Sequence, residues 1–208
     1  MIDKSLVIFD FDGVLANTTD FGYLATKKYN PHITKEWFDA LDHGNFLENY
    51  FKAVEVGEIV DTQEGDWDEQ YLEHLLSLNT HEVLKKMVTE ISKHHVLAIA
   101  SSTTSSHIDT FLKQEGIREF FAEILGSDVH RYKDVKIKKL LEDNSVSPEH
   151  AIFITDTLGD IRAGKTCGIQ AIGVTWGAHD KQTLLSGEPF DVVDDVMHLE
   201  EAIYRFFA

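Results

Sequence analysis

Six short runs of mostly apolar residues recur along the chain, and each has the length and composition of a buried β-strand. They lie at 5–11, 96–102, 123–127, 151–156, 170–176 and 191–196. Amphipathic stretches at 105–116, 134–145 and 157–168 separate the later runs and have the spacing of helices. Near-continuous apolar strands that alternate with helices are typical of a parallel sheet covered on both faces. The pattern therefore predicts an α/β fold with a doubly wound parallel sheet.

Residues 14 to about 88 break this alternation, because they contain several helical patterns and no convincing strand. These patterns cover 19–29, 34–44, 45–57 and 66–79. In 80–95, apolar residues again recur every three to four positions, which predicts a helix that returns to the sheet. We therefore predict an α/β core formed by 1–14 and 85–208, with an all-helical domain inserted at 15–84.

Composition narrows the class of protein. With 208 residues and 43% hydrophobic content, the chain can form one sizeable domain with a smaller insertion. The longest apolar runs fall far short of the ~20 residues that a membrane helix needs, and the amino terminus lacks the pattern of a secretory signal. A formal net charge of −17 argues against a general nucleic-acid surface. We expect a cytoplasmic protein that binds neither membrane nor nucleic acid, as a monomer or homodimer.

Polar side chains stand at or just beyond the ends of the predicted strands. Asp10 and Asp12 end the first run, Ser101 follows the second, Lys133 stands in the loop after the third, and Asp156 follows the fourth. In a parallel sheet these ends converge on one crevice. Carboxylates with a hydroxyl and an amine suit Mg²⁺ more than zinc, because Mg²⁺ prefers hard oxygen ligands.

The order of these motifs is specific. "DFDGVL", then "AIASS", then a lysine, then "ITDTLGD" resembles the haloacid dehalogenase superfamily, in its magnesium-dependent phosphohydrolase branch with a helical cap, including phosphoglycolate phosphatase-like members. The resemblance covers nearly the whole chain. It implies a Rossmann-like core, a helical cap domain and an enzyme that hydrolyses phosphoric monoesters.

The resemblance also implies roles for individual residues. Asp10 becomes the nucleophile that forms an aspartyl phosphate, and Asp12 the general acid and base. Ser101, with Ser102 beside it, contacts the phosphoryl group, and Lys133 adds positive charge there while holding Asp10 in place. The two aspartates around Phe11 thus have different tasks.

The same resemblance implies that Asp10, the backbone carbonyl of Asp12, and Asp156 hold Mg²⁺, and that Asp160 joins directly or through water. Several lysines compete for the role beside Asp10, because "RYKDVKIKK" contains four of them. We prefer Lys133, with Lys136 second. Positions 134–155 have room for one helix, a turn and one strand, so we expect no second cap there.

Purely structural roles compete with some of these assignments. Within "SSTTSSH", Ser101 and its neighbours are also good candidates for a helix N-cap. His179 and Asp180 follow a strand end and could border the site, although a surface loop is the preferred interpretation. The spacing of the cap aromatics predicts that most are core and that one or two face substrate. They are Phe21, Tyr23, Trp37, Phe38, Phe46, Tyr50 and Phe51.

The leading hypothesis is a Mg²⁺-dependent phosphatase acting on a small phosphorylated metabolite. A phosphomutase of the same fold, which passes the phosphate to a sugar, is the alternative, and a phospho-receiver signalling domain is a remote one. Phosphoglycolate, a sugar phosphate and a nucleoside monophosphate all remain open as substrates. The cap lysines Lys27, Lys28, Lys35 and Lys52 are candidate anion contacts.

Overall fold

The computed structural model describes residues 5–61 and 67–208. A parallel sheet of six strands runs in the order β3-β2-β1-β4-β5-β6. The strands are β1 (Leu6–Phe9), β2 (Val96–Ala100), β3 (Phe121–Leu125), β4 (Ala151–Thr155), β5 (Gln170–Val174) and β6 (Asp191–Val193). The predicted α/β fold with a doubly wound parallel sheet is confirmed.

Alternating side chains of the strands enter two separate hydrophobic clusters, one on each face of the sheet. In β1, Val7 and Phe9 belong to one cluster, and Leu6 and Ile8 to the other. All four are fully buried, as the uninterrupted apolar run predicts, because both faces of the strand are covered. Each such side chain contributes about 1.5–3 kcal/mol through burial.

Helices cover both faces. The face of Val7 is packed by α5 (Glu82–Ile91), α6 (Ser105–Gln114) and α10 (Val196–Phe207). The other is packed by α7 (Lys133–Asn144), α8 (Leu158–Thr166) and α9 (Lys181–Leu185). Helices α9 and α10 are additional to those predicted, and α10 begins directly after β6, in the last apolar run.

The segment between β1 and α5 is helical. It comprises α1 (Thr19–Tyr29), α2 (Lys35–Asp39), a 3₁₀ turn (Ala40–His43), α3 (Phe46–Glu55) and α4 (Trp67–Ser77), and we call these elements the cap. Residues of α2, the 3₁₀ turn and α3 share a hydrophobic cluster of their own, which includes Phe38, Leu41 and Tyr50. Leu75 of α4 instead joins the cluster beneath α6. Helix α4 therefore ties the cap to the core.

The strand order places a crevice at the carboxyl end of β1. The chain leaves β1 for β2 and β3 on one side and for β4, β5 and β6 on the other. At such a reversal the connections diverge and leave space for a ligand. The cap follows β1 directly and lies at this end of the sheet. Among the described residues, no helix combines the length and apolar character needed to span a membrane.

Candidate active site

Residues from three strand ends and one helix meet in the crevice. Strand β1 ends at Phe9, earlier than predicted, because the amide of Leu15 donates to the carbonyl of Phe11 at 2.9 Å and the chain turns. Asp10 and Asp12 therefore lie in a loop above the sheet. Ser101 follows β2 and Asp156 follows β4. The sequence-predicted residues are thus brought together in space.

Lys133, the first residue of α7, is the centre of a buried charge cluster. Its ammonium lies 2.6 Å from Asp10 Oδ2 and also contacts Asp160 Oδ2. Thr155 Oγ1 donates to the same Asp160 oxygen at 3.0 Å, and the amide of Phe11 donates to Asp10 Oδ1 at 2.7 Å. The geometry therefore holds Asp10 by both carboxylate oxygens.

Negative charge exceeds positive charge in this cluster. Burial would lower the pKa of Lys133, but Asp10 and Asp160 together raise it well above its usual range, so the lysine is charged. Burial raises the pKa of Asp10 well above its ordinary value, and the carboxylates of Asp160 and Asp156 add to this effect against Lys133. One ammonium does not neutralise three buried carboxylates, which leaves a site suited to a further cation.

Asp156 has one carboxylate oxygen that is suited to a cation. Its Oδ2 accepts from the amide of Ala178 at 2.7 Å, whereas its buried Oδ1 has no hydrogen-bond partner among the described residues. Burial raises the pKa of this carboxyl to about 7. A buried, unpartnered carboxylate oxygen beside two other carboxylates fits a hard cation such as Mg²⁺. The residues present therefore fit the metal that the motifs imply.

Two glycines make room for Asp156. A Cβ at Gly13 would lie 2.0 Å from Asp156 Oδ2, and one at Gly177 would lie 2.2 Å from it. Gly13 also has φ +69°, in the left-handed region that favours glycine. The loops after β1 and β5 can therefore close around this carboxylate because neither carries a side chain there.

Asp12 accepts hydrogen bonds from four hydroxyl groups. Thr18 Oγ1 and the Tyr71 hydroxyl donate to Oδ1 at 2.7 and 2.5 Å. Thr103 Oγ1 and Ser101 Oγ donate to Oδ2 at 2.7 and 3.3 Å. Ser101 was a predicted site residue, but the other three donors were missed.

The missed donors differ in how visible they are in the sequence. Thr103 stands in the "SSTTSSH" stretch, where a hydroxyl three residues beyond a strand end is a usable signal. Tyr71 lies on α4 of the cap, and no local pattern connects it to Asp12. Burial raises the pKa of Tyr71 well above its model-peptide value of 10.0, so its hydroxyl remains a donor.

The two candidate lysines have different contacts. Lys133 contacts Asp10, whereas Lys136 is fully buried and donates to the backbone carbonyls of Ser101 and, at 3.4 Å, Gly126. Burial, with Lys133 nearby, lowers the pKa of Lys136 to about 8. Lys136 therefore joins the ends of β2 and β3, and Lys133 is the lysine beside the candidate nucleophile.

The alternative interpretation of Ser101 as a helix N-cap does not match the structure. Thr104 occupies the N-cap of α6, without a side-chain cap bond. Ser101 Oγ instead accepts from the amide of Thr103 at 2.9 Å and donates to Asp12. Ser102 lines the cavity above the site.

The preferred surface-loop interpretation of His179 is wrong. His179 is 5% exposed, because its ring lies between the core and the cap. The amide of Leu158 donates to its Nδ1 at 3.0 Å, and its Nε2 donates to the carbonyl of Asp39 in the cap at 3.0 Å. Asp180, in contrast, is the N-cap of α9 and accepts from the amide of Thr183 at 2.8 Å.

Further contacts hold the cap against α8. Arg162 donates to the carbonyl of His43 at 2.7 Å. A Cβ at Gly159 would lie 2.0 Å from the carbonyl oxygen of Gly44, so the backbones approach closely here. With His179, these contacts fix the cap over the crevice in a closed arrangement.

Cap and core enclose a cavity of about 340 Å³. Its core end carries Asp10, Asp12, Lys133 and Asp156. The expectation that one or two cap aromatics face the cavity is wrong, because a larger set lines it: Phe21, Phe38, Phe46, Tyr50 and Phe51. Several of these are also core residues, since one face of each ring packs against its neighbours.

Asp42, in the 3₁₀ turn of the cap, also lines the cavity. Burial raises its pKa well above the ordinary value, and the carboxylates of Asp156 and Asp160 act in the same direction. The cap therefore brings a further carboxyl group close to the charge cluster and no ammonium to balance it within the described lining.

Comparisons with known proteins agree with this geometry. The family model for haloacid dehalogenase-like hydrolases matches residues 7–174. The phosphoglycolate phosphatase of Vibrio cholerae is 30% identical over 111 residues, a match that covers 52% of this chain and 49% of that relative. The phosphoglycolate phosphatase of Synechococcus elongatus is 23% identical over 210 residues, covering 95% and 96% of the two chains.

A solved structure supports the fold independently. A haloacid dehalogenase-like hydrolase of Streptococcus pneumoniae superposes with a TM-score of 0.76 over all of both chains, at 20% identity. At this identity the likeness concerns the arrangement of helices and strands.

Proposed function

The chain belongs to the haloacid dehalogenase-like hydrolase family, and from this premise we propose that it is a phosphatase that hydrolyses a small phosphomonoester. The observation that carries the proposal is the Asp10 carboxylate, held 2.6 Å from the Lys133 ammonium in a buried cluster where Asp156 Oδ1 lacks a partner. Relatives named phosphoglycolate phosphatase support a phosphomonoester as the substrate class.

Asp10 is the proposed nucleophile. One of its carboxylate oxygens forms a bond to phosphorus as the bond to the leaving oxygen breaks, which gives an aspartyl phosphate and an alcohol. Phe11 and Lys133 orient the carboxylate before the reaction, so little reorganisation is needed. Ser101, Ser102 and Lys133 would contact the phosphoryl oxygens.

Asp12 is the proposed general acid and base. It would protonate the leaving alkoxide, then accept a proton from the water that attacks phosphorus and releases Asp10. Thr18, Tyr71 and Thr103 hold its carboxyl group in place. Hydroxyl groups donate and accept, so these partners can serve Asp12 in both protonation states.

We propose that Mg²⁺ is held by the side chains of Asp10, Asp156 and Asp160 and by the backbone carbonyl of Asp12. When bound, the ion screens the charge on the phosphoryl oxygens that an anionic nucleophile must approach. The unpartnered Asp156 Oδ1 is the observation that supports this assignment.

The phosphomutase alternative receives less support. A mutase acting on a sugar phosphate has to seat a second phosphate group beneath the cap. The described residues that line the cavity on the cap side include no lysine or arginine. The geometry therefore favours transfer to water over transfer to a phosphorylated sugar.

Phosphate release from a panel of phosphomonoesters tests the proposal, with Mg²⁺ or with EDTA, for the wild type and Asp10→Asn. Asp194→Asn is the matched control, because Asp194 is exposed and lies in the loop that precedes α10. We expect Mg²⁺-dependent release by the wild type and the control, and none by Asp10→Asn. Transfer of labelled phosphate to a sugar phosphate without release would replace the phosphatase with a mutase. Stable labelling of the protein without turnover would instead indicate a receiver.

A further inference from the structure

The cap side of the cavity is an aromatic wall. Phe38 and Phe46 have ring centroids 5.5 Å apart, Phe46 and Tyr50 are 6.0 Å apart, and Tyr50 and Phe51 are 5.6 Å apart. The hydroxyl of Tyr50 donates to Asp61 at 3.2 Å, and Asp61 is not among the lining residues. The polar end of Tyr50 is therefore directed away from the cavity, and the surface that these four rings offer to a ligand is largely hydrocarbon.

The charges that line the cavity are mostly negative. Asp10, Asp12, Asp39, Asp42 and Asp156 all line it. Among the described lining residues, the basic side chains are Lys133, already paired with two carboxylates, and His107, whose ring stacks on Tyr71. A proposed divalent ion at the core end would be engaged by the phosphate and its own ligands. The cap end thus offers little compensation for a second anion.

The cap lysines do not reach this space. Lys27 donates to the hydroxyl of Tyr23 and the carbonyl of Ile33 at 2.7 and 2.9 Å. Lys35 pairs with Asp39 at 2.5 Å. Like Lys28 and Lys52, they are absent from the described lining, so none of the four candidate anion contacts lines the cavity. The sequence 62–68, "TQEGDWD", contains no lysine or arginine either.

Resting on the proposed phosphatase function, we infer that the substrate's leaving group is an uncharged and largely apolar alcohol. A phosphomonoester with a second anionic group on the leaving alcohol is then a poor substrate. This distinguishes the chain from relatives named for phosphoglycolate, whose leaving alcohol carries a carboxylate.

Steady-state kinetics on four phosphomonoesters test the inference. The panel contains benzyl phosphate, glycolamide phosphate, 2-phosphoglycolate and phosphoethanolamine. Glycolamide phosphate is the uncharged counterpart of 2-phosphoglycolate, so the pair isolates the carboxylate. We expect kcat/KM to be highest for benzyl phosphate and at least about tenfold lower for 2-phosphoglycolate than for its amide, because an uncompensated anion is costly in a closed site.

A variant that adds a positive charge to the cavity lining provides a second test. Phe51 lines the cavity and is 40% exposed, so Phe51→Arg adds a cation with little disturbance of the core. Val56→Arg is the control, because Val56 follows the same helix, is 67% exposed and does not line the cavity. The ratio of kcat/KM for 2-phosphoglycolate to that for benzyl phosphate should rise at least about tenfold in Phe51→Arg and stay unchanged in Val56→Arg.

The outcomes separate this inference from the proposed function. If no panel member releases phosphate in the presence of Mg²⁺, the phosphatase proposal fails. If phosphate is released and 2-phosphoglycolate equals or exceeds its amide, this inference alone is overturned. A preference for phosphoethanolamine over benzyl phosphate also overturns it, in favour of an ammonium group bound by the cap carboxylates. The panel decides the question even if Phe51→Arg does not fold.

Discussion

The ammonium of Lys133 lies 2.6 Å from Asp10 Oδ2 and is buried with it beneath the cap. The same ammonium contacts Asp160, so one side chain pairs with two carboxylates that come from different segments of the chain. Removing one partner of a buried ion pair leaves the other charge without compensation. Lys133 is therefore a stability element as well as a proposed part of the catalytic site.

Lys133→Met should destabilise the protein by about 3 kcal/mol at neutral pH and abolish phosphate release, because the side chain keeps its bulk and loses its charge. Urea unfolding and phosphate-release assays measure the two effects. Lys138→Ala, on the exposed side of the same helix, should change either quantity little. Equal stability of Lys133→Met and Lys138→Ala would contradict the buried pairing.

In the absence of metal, Asp156 should make stability depend on pH. Burial raises its pKa in the folded protein to about 7, from 3.8 in the unfolded chain. A raised pKa contributes stability that is present below about pH 4 and is lost as the pH rises through about 7. Asp156→Asn keeps the acceptor for Ala178 and does not ionise, so the unfolding free energy of the EDTA-treated variant minus that of the wild type should increase by at least about 1 kcal/mol from pH 5 to pH 8.

Mg²⁺ should affect the melting temperatures of the wild type and of Asp156→Asn differently. A ligand that binds the folded state stabilises it, so Mg²⁺ should raise the melting temperature of the wild type and leave that of Asp156→Asn almost unchanged. The pH dependence and the Mg²⁺ response are separate readouts of the same carboxylate. If Asp156→Asn responds to Mg²⁺ as the wild type does, Asp156 is not a ligand of the metal.

The sequence was sufficient for the sheet and for the residues at strand ends, since local apolar runs fix which segments are buried strands. Asp10, Ser101 and Asp156 follow from that placement because parallel strands deliver their ends to one crevice. Contacts between the cap and the core could not be predicted in this way. His179 and Tyr71 depend on how the cap lies on the core, and no periodicity within either segment encodes that arrangement.

Gly159→Ala should weaken catalysis by displacing the cap. The added Cβ would lie 2.0 Å from the carbonyl oxygen of Gly44 and 2.7 Å from that of Asp42, and backbone atoms cannot yield as a side-chain tip can. A misplacement of about 1 Å can cost about 100-fold in rate, so kcat/KM should fall by at least about tenfold.

Gly164→Ala is the matched control for this test. It lies on the same helix, and its Cβ would meet Ile169 at 3.5 Å, an ordinary contact. Both substitutions gain up to about 1 kcal/mol of helix propensity, so a difference in kcat/KM between them is due to the clash with the cap. Equal kcat/KM in the two variants would show that the closed arrangement of cap and α8 is not needed for activity.

Tyr71→Phe tests the link between the cap and the proposed general acid and base. The Tyr71 hydroxyl donates to Asp12 Oδ1 at 2.5 Å, while its ring packs edge-on against Phe21 with centroids 5.6 Å apart. The substitution removes the hydroxyl and keeps the ring. Because a hydrogen bond to a charged group is worth about 1.5–3 kcal/mol, we expect kcat to fall about tenfold with little change in KM. Tyr50→Phe, which removes a hydroxyl bonded to Asp61 from another ring of the cavity, should retain wild-type kcat.

A loss of kcat in Tyr71→Phe but not in Tyr50→Phe would assign the effect to Asp12, because both variants retain the aromatic surface of the cap. Equal kcat in both would mean that Thr18, Thr103 and Ser101 suffice to hold that carboxylate.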